Sequence, residues 1–433
     1  MAARGALHTG ADEVATHTRR QIALRLLPFV FVLYITNYLD RTNVAYAALE
    51  MSHDLGFSDR VFGLGAGIFF VGYVALQIPG ALLVELWSAR RCITVIMVAW
   101  GSLTILTGLV HGAGQLYLAR FVLGAAEAGF FPGVIVYLSH WFIREDRAKA
   151  TGNFMAAIPL SFVIGSPLAG WILGHHWLGL EGWRWLFALE GLPAVLLGIV
   201  AFFYLTDWPT QASWLRPQQR DWIVRTLEQE KPADVGSVSM WRALGSRPVL
   251  LLSAAAFLEY FVFYTVAFWF PTILKRASGL ATGTITLLVA IPYLAALTAT
   301  LLNSWHSDRR QERRWHVAGP LFVGSVALFL AIGAGSHLWI QLGFFTIFAA
   351  CVHAYQPCFW ALPTITLGEY AAAASIGLIN ALGNLGGFAG PFMLGYFATR
   401  TGSFTGGLVW LLANLVVAGI LVLFLRGFRL PQT

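Results

Sequence analysis

The chain has 433 residues, of which 58% are hydrophobic and 11% are charged, whereas a soluble domain has about 25% charged residues. This composition excludes a soluble globular protein. The formal net charge of +7 would suit nucleic-acid binding, but the positions of the basic residues indicate a membrane topology instead.

Twelve apolar stretches recur along the chain, and each is long enough to cross a bilayer as a helix. The alternating segments of about ten residues that build a membrane β-barrel are absent from the sequence. We therefore predict an all-α integral membrane protein. We number the stretches spans 1 to 12, and they lie near residues 22–46, 60–82, 92–111, 115–142, 149–173, 184–206, 248–274, 283–303, 315–335, 338–366, 372–398 and 404–426.

One long polar segment, residues 207–247, separates six spans from six. It predicts a six-helix bundle at 22–206, a cytoplasmic loop at 207–247 and a second six-helix bundle at 248–426. Short cytoplasmic tails are expected at 1–21 and 427–433. Within the loop, "QQRDWIVRTLEQE" is predicted to form a short amphipathic helix on the cytoplasmic face.

The basic residues fix the orientation. With the N-terminus inside, 21 of the 28 Lys and Arg residues fall in inner segments and 5 in outer loops, so both termini are predicted to be cytoplasmic. No small-residue cleavage site precedes span 1, which favours a tail over a signal peptide. The three cysteines all lie inside spans and imply no disulfide framework.

The two halves repeat one another weakly. Pro132 in span 4 matches Pro357 in span 10 at an offset of 225, and Glu85 matches Asp308 at an offset of 223. Two parallel repeats of six helices around a central binding site form a known transporter architecture.

Few ionisable residues lie inside the spans, and each should face a partner or a wet cavity because it is costly in hydrocarbon. They are Asp40, Arg41, Arg120, Glu127, Glu190 and Glu259. We expect two acid–base sets, Asp40–Arg41 on span 1 and Arg120–Glu127 on span 4, which can meet at similar depth. A proton on the acid would release its arginine for an anion, although a purely structural ion pair remains an alternative.

Two further acids are interpreted differently. Glu190, six residues beyond Arg184, is favoured as a structural partner of that arginine. Glu259 could be a third proton site, a hydroxyl acceptor or a neutral acid within the bundle, and the sequence does not choose among these roles.

Several motifs carry a family resemblance that extends over nearly the whole chain. They include "NYLDRTNVAYA", "GIFFVGYVALQIPG", "RFVLGAAEAGFFPGVIVYLSHWFIREDRAKA", "GWRWLFALEGLPAV" and "GLINALGNLGGFAGP". The chain resembles the anion:cation symporter branch of the major facilitator superfamily, and most of all bacterial permeases for tartrate, 4-hydroxyphenylacetate and similar acids. The resemblance implies the major facilitator fold, with two pseudo-symmetric bundles.

The resemblance also implies roles for individual residues. Arg41 would contact the substrate carboxylate, Asp40 and Glu127 would exchange the coupled protons, and Arg120 would be a charge partner. Aromatic and amide side chains near mid-span would complete the cavity wall. The predicted substrate-binding residues are Arg41, Tyr38, Tyr73, Arg120, Asn380, Asn384, Tyr264, Gln356 and Trp360.

The predicted gate lies at the inner ends of the spans. The superfamily signature Gly-x-x-x-Asp-Arg-x-Gly-Arg-Arg is reduced here to "ALLVELWSARR" between spans 2 and 3, whereas "SWHSDRRQERR" keeps its Asp-Arg pair. The predicted gating residues are Glu85, Arg90, Asp308, Arg309 and Arg313.

The sequence thus predicts a proton-coupled symporter that takes up a small organic carboxylate, either a hydroxy or sugar acid of the tartrate type or an aromatic acid. The resemblance implies a monomer in the bacterial inner membrane, with protons as the coupling ion and no cofactor. A proton-antiporting exporter and a facilitative anion exchanger are the alternatives. An ATPase or another enzyme is not expected, since the chain lacks a P-loop, a His-Glu-x-x-His motif and a Gly-x-Ser-x-Gly motif.

Overall fold

The computed structural model describes residues 2–230, 245–335, 337–367 and 369–425. Over these residues all regular structure is helical, apart from turns, so the all-α prediction is confirmed. The predicted C-terminal tail at 427–433 and the loop residues 231–244 lie outside the described residues.

The first bundle contains spans 1 to 6. Span 1 is longer than predicted, because its helix starts at Ala2 and includes the polar residues assigned to the tail. Spans 4 and 5 each consist of two consecutive helices. The helices are Ala2–Asp54, Asp59–Leu86, Ala89–Thr107, Ala113–Glu127 with Phe130–Ser139, Arg144–Met155 with Ala157–Leu173, and Gly182–Tyr204.

The second bundle contains spans 7 to 12. Eleven helices of the described chain are long and apolar enough to cross a membrane, and the remaining predicted span is the long helix Glu369–Thr401. The helices are Arg247–Ser278, Thr282–Arg310, Arg314–Gly333, Leu338–Ala354 with Gln356–Leu367, Glu369–Thr401 and Thr405–Leu423. Twelve spans in two bundles are therefore confirmed.

The sequence repeat has a structural counterpart. Span 4 is interrupted just before Phe130, and span 10 is interrupted at Tyr355. Pro132 and Pro357 both lie in the first turn after the interruption, where a proline costs little because the N–H it lacks has no helical partner there.

The loop between the bundles contains the predicted amphipathic helix, at Pro217–Gln229. Its side chains contact the inner end of span 1. The Gln219 amide donates to Gln21 Oε1 at 3.0 Å, and Ile223 is buried. This confirms the helix predicted for the loop.

The two bundles pack against each other through spans 2 and 11, 5 and 8, and 1 and 7. The contacts between spans 2 and 11 involve the half of span 2 that precedes mid-span. A Cβ on Gly63 would lie 2.5 Å from the Pro391 carbonyl oxygen, and one on Gly67 would lie 2.6 Å from that of Phe388. The helices therefore touch backbone to backbone, as small residues permit in membrane proteins.

Polar contacts also join the bundles at the predicted outer ends. Arg276 forms an ion pair with Asp59, with one N–O distance of 2.7 Å. Lys275 Nζ donates to the Leu49 carbonyl oxygen at 2.9 Å, and the backbone N–H of Arg60 donates to Thr399 Oγ1 at 2.9 Å. The structure is thus closed between the bundles on the side that the charge distribution predicts to be outside.

Candidate functional site

A cavity lined by residues of both bundles lies near the middle of the spans. Eight of the nine predicted substrate-binding residues line it, and Arg120 does not. The eight are Tyr38, Arg41, Tyr73, Tyr264, Gln356, Trp360, Asn380 and Asn384.

The sequence reasoning missed two tyrosines of the cavity wall, Tyr34 and Tyr260. Each precedes a predicted wall residue by four positions, since Tyr34 precedes Tyr38 and Tyr260 precedes Tyr264. Residues four apart share a helix face. Helical periodicity applied to the predicted residues would have found both.

Arg41 is the cation of the cavity wall and is 4% exposed. Its guanidinium is ion-paired with Glu127 and donates to the Tyr264 hydroxyl at 3.2 Å. The rings of Tyr38 and Tyr73 each lie 5.1 Å from its Cζ. Arg41 thus connects the first bundle, through Glu127, to the second bundle, through Tyr264.

The two acid–base sets meet through one ion pair. Arg41 pairs with Glu127 from span 4 rather than with its neighbour Asp40. Asp40 instead accepts a hydrogen bond from Trp100 Nε1 at 2.6 Å. Adjacent residues point about 100° apart around a helix, so Asp40 and Arg41 face different partners.

Arg120 was predicted to be a charge partner and to bind the substrate, but it does not line the cavity. It is fully buried, and its three guanidinium nitrogens have no hydrogen-bond partner among the described residues. Its Cζ lies 4.8 Å from the Phe69 ring, which Arg41 also contacts, at 5.4 Å. The two arginines therefore share one aromatic ring, and only Arg41 faces the cavity.

The wall from the second bundle is polar but uncharged. Asn384 Nδ2 donates to the Asn380 carbonyl oxygen at 2.9 Å, and the Tyr260 hydroxyl donates to Asn380 Oδ1 at 3.4 Å. Gln356 and Trp360 lie one turn apart on span 10 and complete this wall. The charged side chain therefore lies on the first-bundle wall and the amides on the second-bundle wall, while both walls contain tyrosines.

The predicted gating residues form contacts only within their own bundles among the described residues. Glu85 contacts His140 at 3.3 Å. The Arg90 backbone N–H donates to Asp207 Oδ1 at 2.8 Å.

The second-bundle copy of the motif behaves similarly. Arg313 is ion-paired with Asp308 and donates to Ser307 Oγ at 2.8 Å. Arg309 lies over the Trp305 ring at 5.5 Å. These inner residues are thus held within each bundle while the outer ends of the bundles are in contact.

The family profile described as "Major Facilitator Superfamily" matches residues 30–391. A candidate tartrate transporter of Agrobacterium vitis is 43% identical over 96% of this chain and 96% of its own length. A quinolone resistance transporter of Acinetobacter baumannii is 35% identical over 95% of each chain.

The solved structures include a similar fold. A bacterial homologue of the human lysosomal transporter Spinster, in an inward-facing and occupied conformation, superposes with a TM-score of 0.75 at 17% identity. The match covers 93% of this chain and 97% of that one. At this identity the likeness concerns the fold.

Proposed function

The chain belongs to the major facilitator superfamily and is a membrane transporter rather than an enzyme, and we propose that it takes up a small organic carboxylate together with protons. The substrate would be a hydroxy or sugar acid of the tartrate type or an aromatic acid. The observation that carries this proposal is Arg41, a buried guanidinium in the wall of the central cavity.

Arg41 suits a carboxylate because its planar fork can donate two parallel hydrogen bonds and stays charged at any physiological pH. Glu127 occupies part of that fork in this structure. A substrate carboxylate and the Glu127 carboxylate therefore compete for the same guanidinium.

That competition gives a mechanism for proton coupling. When Glu127 takes a proton, its ion pair with Arg41 weakens and the guanidinium becomes available to the substrate anion. By linkage, a bound anion favours the proton on Glu127 to the same extent. Asp40, held by Trp100 in the same bundle, is the second candidate acid.

The conformational step follows from the contacts between the bundles. The outer ends are joined, and the predicted inner gating residues are held within their own bundles. This is the arrangement expected of an inward-facing carrier that works by rocking the two bundles around a central site. Opening to the other side would require the outer contacts to break and the inner residues to meet.

Relatives support the substrate class and also the alternative. The tartrate name of one relative favours a carboxylate, whereas the quinolone resistance name of another favours an exporter. The aromatic side chains of the cavity would suit either a ring-bearing acid or a drug. The buried Arg41 favours the anion, and a facilitative exchanger would use the same residue without protons.

The test is transport into proteoliposomes with an imposed pH gradient, acid outside, using labelled tartrate and 4-hydroxyphenylacetate. We expect accumulation of one of them above its outside concentration, with the internal pH falling during uptake. Accumulation that ignores the gradient would refute proton coupling. Proton-driven export of a quinolone, with neither acid transported, would establish the alternative.

The remaining expectations concern placement. We propose a bacterial inner-membrane location and a monomeric carrier, as the family resemblance implies. We also propose cytoplasmic termini, since the basic residues follow the positive-inside rule. Labelling of a cysteine introduced at Ser403 by an impermeant reagent on intact cells would support this orientation, and labelling only after lysis would contradict it.

A further inference from the structure

A second group of buried polar residues lies in the first bundle, behind Arg41 and away from the cavity. It runs along one side of span 1 through Asp40, Asn43, Tyr46 and Glu50, at spacings of three, three and four residues. At 1.5 Å per residue, this series extends about 15 Å from mid-span toward the predicted outer end. Glu190 from span 6 faces the same series.

Glu190 interacts with three members of the series, Asp40, Asn43 and Tyr46. The Asn43 side chain faces the Glu190 carboxyl group. Asp40 and Tyr46 lie close enough to interact with that carboxyl group electrostatically. Arg184, the partner expected from the sequence, instead donates to the carbonyl oxygens of Gly108 and Val110 at 2.8 and 3.2 Å. Glu190 is therefore not held by the arginine of its own helix.

The polar atoms of this group are incompletely satisfied. Asp40 Oδ1, Glu190 Oε2 and both polar atoms of the Asn43 amide are buried with no hydrogen-bond partner among the described residues. Buried polar atoms nearly always have partners, and several unpaired ones at one place indicate a position for exchangeable protons or water.

The balance of charges in the first bundle also indicates an exchangeable proton. Its buried core contains three carboxyl groups, those of Asp40, Glu127 and Glu190, and two guanidiniums, those of Arg41 and Arg120. If all were ionised, one carboxylate would lack a cation in a medium where that is very costly. The core is neutral when one carboxyl group carries a proton. A proton that can move among these carboxyl groups is what coupling requires.

The outer end of the series is partly accessible. Glu50 is only partly buried, and His176, Glu181, Lys275 and Thr282 surround it. Closer to Glu190, Ser166 of span 5 lies beside Tyr46, and Trp100 of span 3 binds Asp40. The series thus connects the outer end of the first bundle with the acids near the cavity.

We infer that protons reach Asp40 from the outer side through this series, with Glu190 as the intermediate acceptor, by a route separate from that of the substrate. In each step a carboxyl O–H bond breaks and an O–H bond forms on the next carboxylate, directly or through water. The inference rests on the proposed function. It explains how a proton could enter while the contacts between the bundles close the outer side to an organic acid.

Glu190→Gln is the first test, in proteoliposomes that carry the whole chain. Two rates are measured: counterflow of labelled tartrate at equal pH, and proton influx during tartrate uptake driven by an acid exterior. We expect counterflow near the wild-type rate and a proton influx reduced about tenfold or more, since a positioned proton carrier is typically worth at least that factor. Glu190→Asp, which keeps a carboxyl group, should restore part of the influx.

Asn43→Leu removes the amide that faces Glu190 and should give the same separation of the two rates. Asn414→Leu is the matched control, because Asn414 is a buried amide of span 12 that, among the described residues, donates only to the Trp410 carbonyl oxygen of its own helix. If Glu190→Gln does not fold, Asn43→Leu and Glu190→Asp still test the proton route.

Two outcomes would overturn the inference: a Glu190→Gln influx equal to that of the wild type, or the same loss in Asn414→Leu. A wild-type carrier that moves tartrate without protons would instead refute the proposed function. A wild-type carrier that couples normally, with all the variants unimpaired, would refute only the proton route.

Discussion

The two bundles have similar folds but contribute different chemistry to the cavity. The first bundle supplies Arg41 and Glu127, with Asp40 and Arg120 buried behind them. The second supplies amides and phenols, including Asn380, Asn384, Tyr260 and Tyr264. The first-bundle wall of the cavity therefore contains an ionisable side chain, whereas the second-bundle wall contains only uncharged ones.

This division assigns separate tasks to the halves. In the proposed mechanism a proton on Glu127 and a substrate carboxylate both act on the Arg41 guanidinium, so coupling would be decided in the first bundle. The neutral wall can recognise the rest of the substrate without adding a second titration. The hydrogen bond from Arg41 to Tyr264 at 3.2 Å is the point where the two walls meet.

The largest expected effect on anion binding comes from a substitution in the first-bundle wall. Arg41→Gln should weaken binding of the transported anion about 30-fold or more, because loss of one partner of a buried charge pair costs about 2–5 kcal/mol. Equilibrium binding in detergent measures this. Arg400→Gln, an exposed arginine near the outer end of span 11, is the control. Unchanged affinity in Arg41→Gln would remove Arg41 from the site.

The next effect separates coupling from binding. Glu127→Gln imitates a protonated acid, so counterflow should persist while accumulation against a gradient is lost. Both are measured in the same proteoliposomes. Accumulation at the wild-type level would assign the coupled proton to Asp40, and Asp40→Asn would then show the loss. Failure of counterflow as well would point to a role of Glu127 in binding.

A smaller effect is expected from the neutral wall. Asn384→Ala should raise KM about tenfold, or 1.4 kcal/mol, since it removes hydrogen bonds to an uncharged part of the substrate. The ratio of protons to substrate should stay unchanged, and simultaneous flux measurements check it. A changed ratio would contradict the division of tasks between the bundles.

The smallest effect concerns the outer ion pair between Asp59 and Arg276. Both side chains are partly exposed, so the pair should contribute at most about 1 kcal/mol to the closed outer side. Asp59→Asn should increase the labelling rate of a cysteine placed in the cavity by an impermeant reagent about twofold to fivefold. Combining Asp59→Arg with Arg276→Asp should reverse the increase, and an unchanged rate in the single variant would show that the pair does not favour closure.

The sequence predicted the spans and most of the cavity for a physical reason. Polar and ionisable side chains in apolar spans must face the protein interior, which agrees with the cavity roles that the family resemblance implied for Arg41, Asn380 and Asn384. The pairings could not be assigned in the same way. They depend on how far each helix is rotated about its axis and on which neighbour lies across from it, which is why Arg41 meets Glu127 while Asp40 meets Trp100.

The contacts between the bundles could not be predicted from the sequence either. Asp59 and Arg276 lie 217 positions apart, and neither falls in the apolar interior where a charge attracts notice. The inner motifs with Glu85 and Asp308 stood out by their resemblance to a known signature. In this conformation the outer contacts, which have no such signature, join the two halves.

Gly63 and Gly67 pack closely against span 11 where the outer halves of the two bundles meet. A substitution at either glycine could therefore be used to change which conformation the carrier adopts. A methyl group at Gly67 would press on the Phe388 carbonyl oxygen, and a backbone atom cannot swing aside as a side chain can. Gly67→Ala should therefore act as a wedge that keeps the outer side open without touching the cavity. Such a variant would give a population arrested in one half of the cycle, suited to raising conformation-specific binders and to isolating the return step.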